Sequence, residues 1–247
     1  MDRRIVRGLG ELLREPAPAR PRPLALVGRG VVVDAFARAL LAGGGDRRAL
    51  APLAAAGPDQ LRGCVAVIAC GLSRDAIRLL ARARRPFVVV LLRGDDRYAW
   101  GTLPGVGAAN AIPPLADGSP DIDTALRRLA ARLEPDDAAE LAVRLPVMAP
   151  LIEAEHAVGA ARGAALLALC GRSSGAMTLV QARAAVTGAR VAGLPAGAAR
   201  LPDVALSTGA GMVLREAGRR VPSRLGRAAL AYAGTLVVLG VQRGVRR

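Results

Sequence analysis

The chain is 247 residues long, 52% hydrophobic but only 2% aromatic, so its core must be built from Ala, Val and Leu. All 35 basic residues are arginine, only one histidine occurs, and the formal net charge is +15. Lysine Schiff-base chemistry is thereby excluded, and a Ser-His-Asp relay or a histidine-rich metal centre lacks its parts.

The Arg, Ala and Gly excess is that of a GC-rich genome, yet the charge it carries is real and unevenly spread. Residues 1–150 hold 22 Arg against 16 acids, a net +6, whereas 151–247 hold 13 against 4, a net +9. The second half is therefore expected to seek an anionic surface. Cys64, Cys70 and Cys170 are odd in number and lack C-x-x-C spacing, which suits a reducing cytoplasm rather than a disulfide framework or a zinc site. Met1-Asp-Arg-Arg-Ile-Val-Arg7 has no long apolar run behind it and does not read as a secretory signal.

In chain order, residues 5–14 predict a short amphipathic helix. The prolines of Glu15–Pro23 then predict an extended linker, so that 1–22 form an arm. Leu24–Val27 predicts a strand, Gly28-Arg29-Gly30 a turn, and Val33–Leu41 a helix, an order that aims backbone N–H groups at a phosphate. The letters oppose nucleotide binding. Counted from Gly28, the places of the P-loop lysine and Ser/Thr are held by Asp34 and Ala35, and the third glycine of G-x-G-x-x-G is Val33. Asp46, behind Gly43-Gly-Gly45, is a poor ribose acid.

Gly63–Ala69 and Pro86–Leu92 predict buried parallel strands, with a helix Arg74–Arg84 between them capped by Ser73. Leu92-Arg-Gly-Asp95 stands where a GTPase carries N-K-x-D, and only Asp95 matches. Asp95 and Asp96 read as loop caps. Arg97–Gly107, with Tyr98 and Trp100, is a loop able to line a pocket or cover the sheet edge. Ala109–Ile112 is a last strand, and Ser119-Pro-Asp121 opens a helix with Ile122, Leu126, Leu129 and Leu133 on one face. Asp136 reads as the cap of a helix Ala138–Leu145.

Four helices are expected after Pro146: Leu151–Cys170, then Met177–Gly193 capped by Ser173 or Ser174, then one capped by Asp203 and running to Arg219, then Arg224 to about Gln242 capped by Ser223. Glu153, Glu155 and His156 cannot converge on a metal ion from successive helical positions, so no metal is expected. The uncharged run Ala228–Gln242 is 15 residues, short of the roughly 20 that span a bilayer, with Arg224, Arg227, Arg243, Arg246 and Arg247 at its ends. A buried or monotopic helix is expected, with snorkelling arginines able to extend its reach.

The run Leu179-Val-Gln-Ala-Arg183, with Ala192-Gly193, Arg200-Leu-Pro202, Gly209-Ala-Gly211, Val221-Pro222 and Ala231-Tyr-Ala-Gly-Thr235, resembles the domain of unknown function family 697. That domain occurs in YcjF-type proteins and behind Era-like GTPases, and the likeness covers roughly Leu145–Gln242. It implies a helical, often membrane-associated module with no assigned chemistry. The strand, loop and final helix before it resemble the end of an Era-like GTPase domain whose nucleotide-reading letters are missing.

The expectation is an α/β then all-α chain: an arm (1–22), a truncated doubly wound parallel sheet of degenerate P-loop-GTPase-like kind (23–145) and a small helical bundle (146–247). Its expected role is a non-catalytic binding or scaffold module, cytoplasmic or at the inner face of the membrane. The expected partner is a membrane surface or a protein such as a GTPase, with a homo-oligomer as a further possibility. No cofactor is expected, and scarce aromatics argue against nucleic acid. The alternative is a nucleotide-binding switch or enzyme using Gly28, Arg29, Gly30 and Asp95.

Overall fold

The computed structural model describes residues 21–28, 30–53, 57–71, 80, 82, 84–92, 110–171, 174–194 and 200–246, with only the backbone of Pro58 and Ser174. The expected arm helix 5–14, nearly all of the helix 74–84, and the loop containing Asp95, Asp96, Tyr98 and Trp100 lie outside them. The described residues form two compact units, divided between Ile152 and Glu153.

The first unit is built on five parallel strands in the order β2-β1-β3-β4-β5: β1 (Leu24–Gly28), β2 (Leu50–Leu53), β3 (Ala66–Cys70), β4 (Phe87–Val90) and β5 (Ala111–Ile112). Strands β1, β3, β4 and β5 are continuous apolar runs because both faces of the sheet are covered. Side chains alternate across it. One face carries Ala25, Val27, Val67, Ala69 and Val89 against Leu61, Cys64 and Leu80. On the other, Leu26 lies beneath helix α1 (Gly30–Leu41), whose Phe36 and Leu40 are wholly buried. The order 2-1-3-4-5 is that of flavodoxin-like doubly wound sheets, with its switch point between β1 and β3.

Strand β2 is not legible in the sequence. It has four residues, contains Pro52, and follows a single 3-10 turn, Arg47–Ala49, capped by Asp46 through Arg48 N–H. Proline is tolerated because β2 is an edge strand. The short helix α2 (Pro58–Arg62) is likewise not foreshadowed by any local pattern. The helix expected to open at Ser119-Pro-Asp121 is α3 (Ile122–Ala130), capped by Asp121, which accepts from Thr124 N–H at 3.0 Å. Its neighbour α4 (Pro135–Arg144) starts earlier than expected. Glu134 occupies the N-cap position and Asp136 sits in the first turn, where the helix dipole favours an acid, instead of acting as the cap.

The second unit holds most of α5 (Met148–Leu169), with α6 (Ser174–Val191), α7 (Leu201–Arg219) and α8 (Arg224–Val245). The contacts fix an up-down-up-down bundle. Early α6 (Met177) meets late α5 (Ala164), late α7 (Leu214) and early α8 (Ala231), while later α6 (Ala185) meets earlier α5 (Ala160) and late α8 (Leu239). Gly193, at φ +77°, ends α6 as predicted, and Ser223 Oγ caps α8 by accepting from Gly226 N–H at 2.9 Å. Ser173 lies outside the described residues. Asp203 is not a cap: Arg200 holds that position, and Asp203 is buried in the first turn of α7.

Candidate functional site

At the switch point, Gly28 pairs with Cys70 in the β1–β3 register and adopts φ +142°. A Cβ there would fall 2.1 Å from the Cys70 carbonyl oxygen, so only glycine lets the two strand ends close. Gly30 differs. It opens α1, a Cβ added to it would meet nothing within 4 Å, and its freedom is not used for packing. One turn on, Asp34 is exposed beside the strongly exposed Val31. Arg29 and Asp95 lie outside the described residues, so the four expected loop residues are not brought together here. Burial pushes the Cys70 thiol up to about 12, which makes it a poor nucleophile. Cys64 is also raised by burial, against an opposing pull from Arg85.

An apolar groove of about 830 Å³ runs between α1 and β2, floored by Leu26, Leu50 and Pro52 and edged by Arg38, Arg47 and Arg48. Among the residues that line it, no two carboxylates and no nucleophile–base pair converge. Among the described residues no cluster of three metal-ligating side chains exists.

The helical unit buries polar side chains within its apolar interior. Gln181 donates to Thr235 Oγ1 at 2.7 Å, and Thr235 in turn donates to the Ala231 carbonyl. Gln242 Nε2 donates to Ser207 Oγ at 2.9 Å and to the Asp203 carbonyl at 2.8 Å. The Asp203 carboxylate accepts from Arg246 at 2.8 Å, and that guanidinium also reaches the Ala185 carbonyl; both ion-pair side chains are about one-tenth exposed. Glycines bring the helices close enough for these contacts. A Cβ at Gly211 would lie 2.9 Å from Thr178 Oγ1, one at Gly188 2.6 Å from Arg246 Nη1, and one at Gly234 2.2 Å from Leu214.

Comparison with family models, with curated proteins and with solved structures gives no match.

Part of the outside of the same unit, on α7 and α8, is apolar. Leu201, Leu206, Met212 and Val213 of α7 are exposed, as are Leu225, Val237, Val241 and Val245 of α8. On α8 the exposed line is Leu225, Ala229, Ala233, Val237, Val241 and Val245, one residue per turn and no charge among them. Among the described residues, α8 is the one helix long and apolar enough to cross a membrane, and only 28% of its most apolar window is buried.

Arginines lie near both ends of α8, those at the far end held in ion pairs. Arg215, Arg219, Arg224 and Arg227 gather where α7 ends and α8 begins, around a recess of about 480 Å³ floored by Met177, Leu214 and Ala231. At the opposite end Arg243 pairs with Glu153 at 2.9 Å and Arg246 with Asp203. The sequence shows the arginines and the uncharged run, but not the recess, because Met177 joins it from 37 residues before Leu214 in a fold the local pattern does not specify.

Proposed function

We propose that the chain is a non-catalytic membrane-docking module whose α7–α8 face enters the apolar layer of an anionic bilayer. The observation that carries this is the uncharged exposed line of α8, Leu225 to Val245, over helix contacts that bury Gln181, Thr235, Ser207, Gln242 and Asp203 among small and apolar residues. That distribution, with small residues at the helix contacts and hydrogen bonds across them, is what lipid rather than water favours. From Arg227 to Arg243 the axial rise is about 24 Å, less than the roughly 30 Å hydrocarbon core, which suits entry into the bilayer from one side rather than a full span. The kinship with the family 697 domain belongs to the same reading and is supported by the glycine and arginine pattern of 179–235.

For the first unit we propose a GTPase-like shape without nucleotide chemistry. Asp34 and Ala35 replace the groups that neutralise phosphate and hold magnesium, and the packing of Gly28 on Cys70 accounts for its glycine without a ligand. The test is flotation of the full chain with vesicles of phosphatidylcholine containing phosphatidylglycerol. The chain is expected to rise with the vesicles, and Val237→Glu or Val241→Glu, each on the exposed face, to leave most of it at the bottom. A monomer that stays in the soluble fraction with every vesicle would overturn the reading.

A further inference from the structure

We infer that the recess between the end of α7 and the start of α8 is a binding site for a single anionic phospholipid, its phosphate on the arginines and an acyl chain on the floor. The inference rests on the membrane-docking reading and adds to it a defined, saturable site. Arg215, Arg224 and Arg227 have no ion-pair or hydrogen-bond partner among the described residues, while Arg219 is paired with Glu216 at 3.1 Å. Arg227 Nε is buried without an acceptor, an arrangement that costs free energy until an acceptor arrives. A phosphate accepts from several guanidinium N–H groups at once, and the amino-terminal end of α8 adds its positive dipole end.

The floor decides among the anions. Met177, Leu214 and Ala231 are apolar, and the exposed Leu225 stands at the start of α8. Free phosphate has no use for such a floor. Single-stranded nucleic acid would stack bases on aromatic rings, and none lines this recess. A phospholipid uses both parts, and the arginines at this end sit at the level where the docked face would meet headgroups.

The experiment uses the full chain and short-chain phosphatidylglycerol below its critical micelle concentration, read by a polarity-sensitive dye on Cys170, the one exposed cysteine, which neighbours Gly171 at the recess. Saturable binding is expected with the lipid. Inorganic phosphate and a short oligonucleotide are expected to bind at least tenfold more weakly. R224Q/R227Q should lower lipid affinity tenfold or more with an unchanged circular-dichroism melt, and R224K/R227K should recover part of it. Equal binding by wild type and R224Q/R227Q would overturn the site, as would phosphate or oligonucleotide binding as tight as the lipid. If R224Q/R227Q unfolds, R215Q decides by the same measure. Wild type that fails to float on any vesicle yet binds the monomeric lipid saturably would sink the docking reading and leave the site standing; flotation without saturable monomer binding would do the reverse.

Discussion

Two glycines two residues apart separate a packing role from a ligand role. At Gly28 an added methyl meets the Cys70 carbonyl at 2.1 Å on a backbone of φ +142°, so Gly28→Ala should destabilise the first unit by about 2–3 kcal/mol, read as a lowered urea midpoint. At Gly30 there is open space at a helix start, and Gly30→Ala should be neutral or stabilising by up to about 1 kcal/mol. The cysteines differ as sharply. At pH 8 a thiol reagent should modify Cys170 alone, with Cys64 and Cys70 protected until denaturant is added. Because burial raises Cys70 to about 12, its folded form holds its proton where an unfolded chain would lose it. Its contribution to stability is therefore complete below about pH 8.5 and declines as pH rises from there towards 12. Cys70→Ala should flatten that alkaline decline in a pH series of unfolding midpoints. Gly28 is visible in the sequence as a turn glycine. That its neighbour is a strand carbonyl is not, since the partner lies 42 residues away across the sheet.

Among the elements, helices are the most legible because their apolar spacing and caps are local: Ser223 and Gly193 do what their positions predict. Sequence and structure part where a residue has a distant partner. Asp203 follows Pro202 as a capping acid would, yet Arg246, 43 residues on, draws the carboxylate into the bundle. Strand β2 escapes for the opposite reason, being held by backbone pairing to β1 with almost no side-chain pattern of its own. The buried pair gives an element-scale prediction. Asp203→Ala should cost about 3–5 kcal/mol by leaving Arg246 uncompensated among α6, α7 and α8, while Asp203→Leu with Arg246→Met should recover most of that loss. Denaturation in detergent of Asp203→Leu, Arg246→Met and their double variant measures the coupling. An additive result would mean the pair does not tie the helices together.

Over the whole molecule, the two units should answer different ligands, and hydrogen exchange can read each one separately in the intact chain. Anionic vesicles are expected to slow exchange in α7 and α8, whose outward faces carry no charge between Asp203 and Arg215 or between Arg227 and Arg243. Magnesium with GTP, ATP, NAD or NADP is expected to leave Leu24–Gly28, the start of α1 and Ala66–Gly71 unchanged, because no lysine exists in the chain and Asp34 would face a phosphate held at α1. The sensitivity is sufficient: a ligand at one hundred times its Kd stabilises the state it binds by about 2.7 kcal/mol, roughly a hundredfold change in the exchange of amides that open with that unit. Net charge sharpens the contrast. At +15 the chain attracts every polyanion weakly, so protection that disappears in about 0.5 M salt reflects charge alone, whereas insertion of Val237, Val241 and Met212 into lipid should persist. Protection of α1 by a nucleotide with α7 and α8 indifferent to vesicles would reverse the assignment of both units at once.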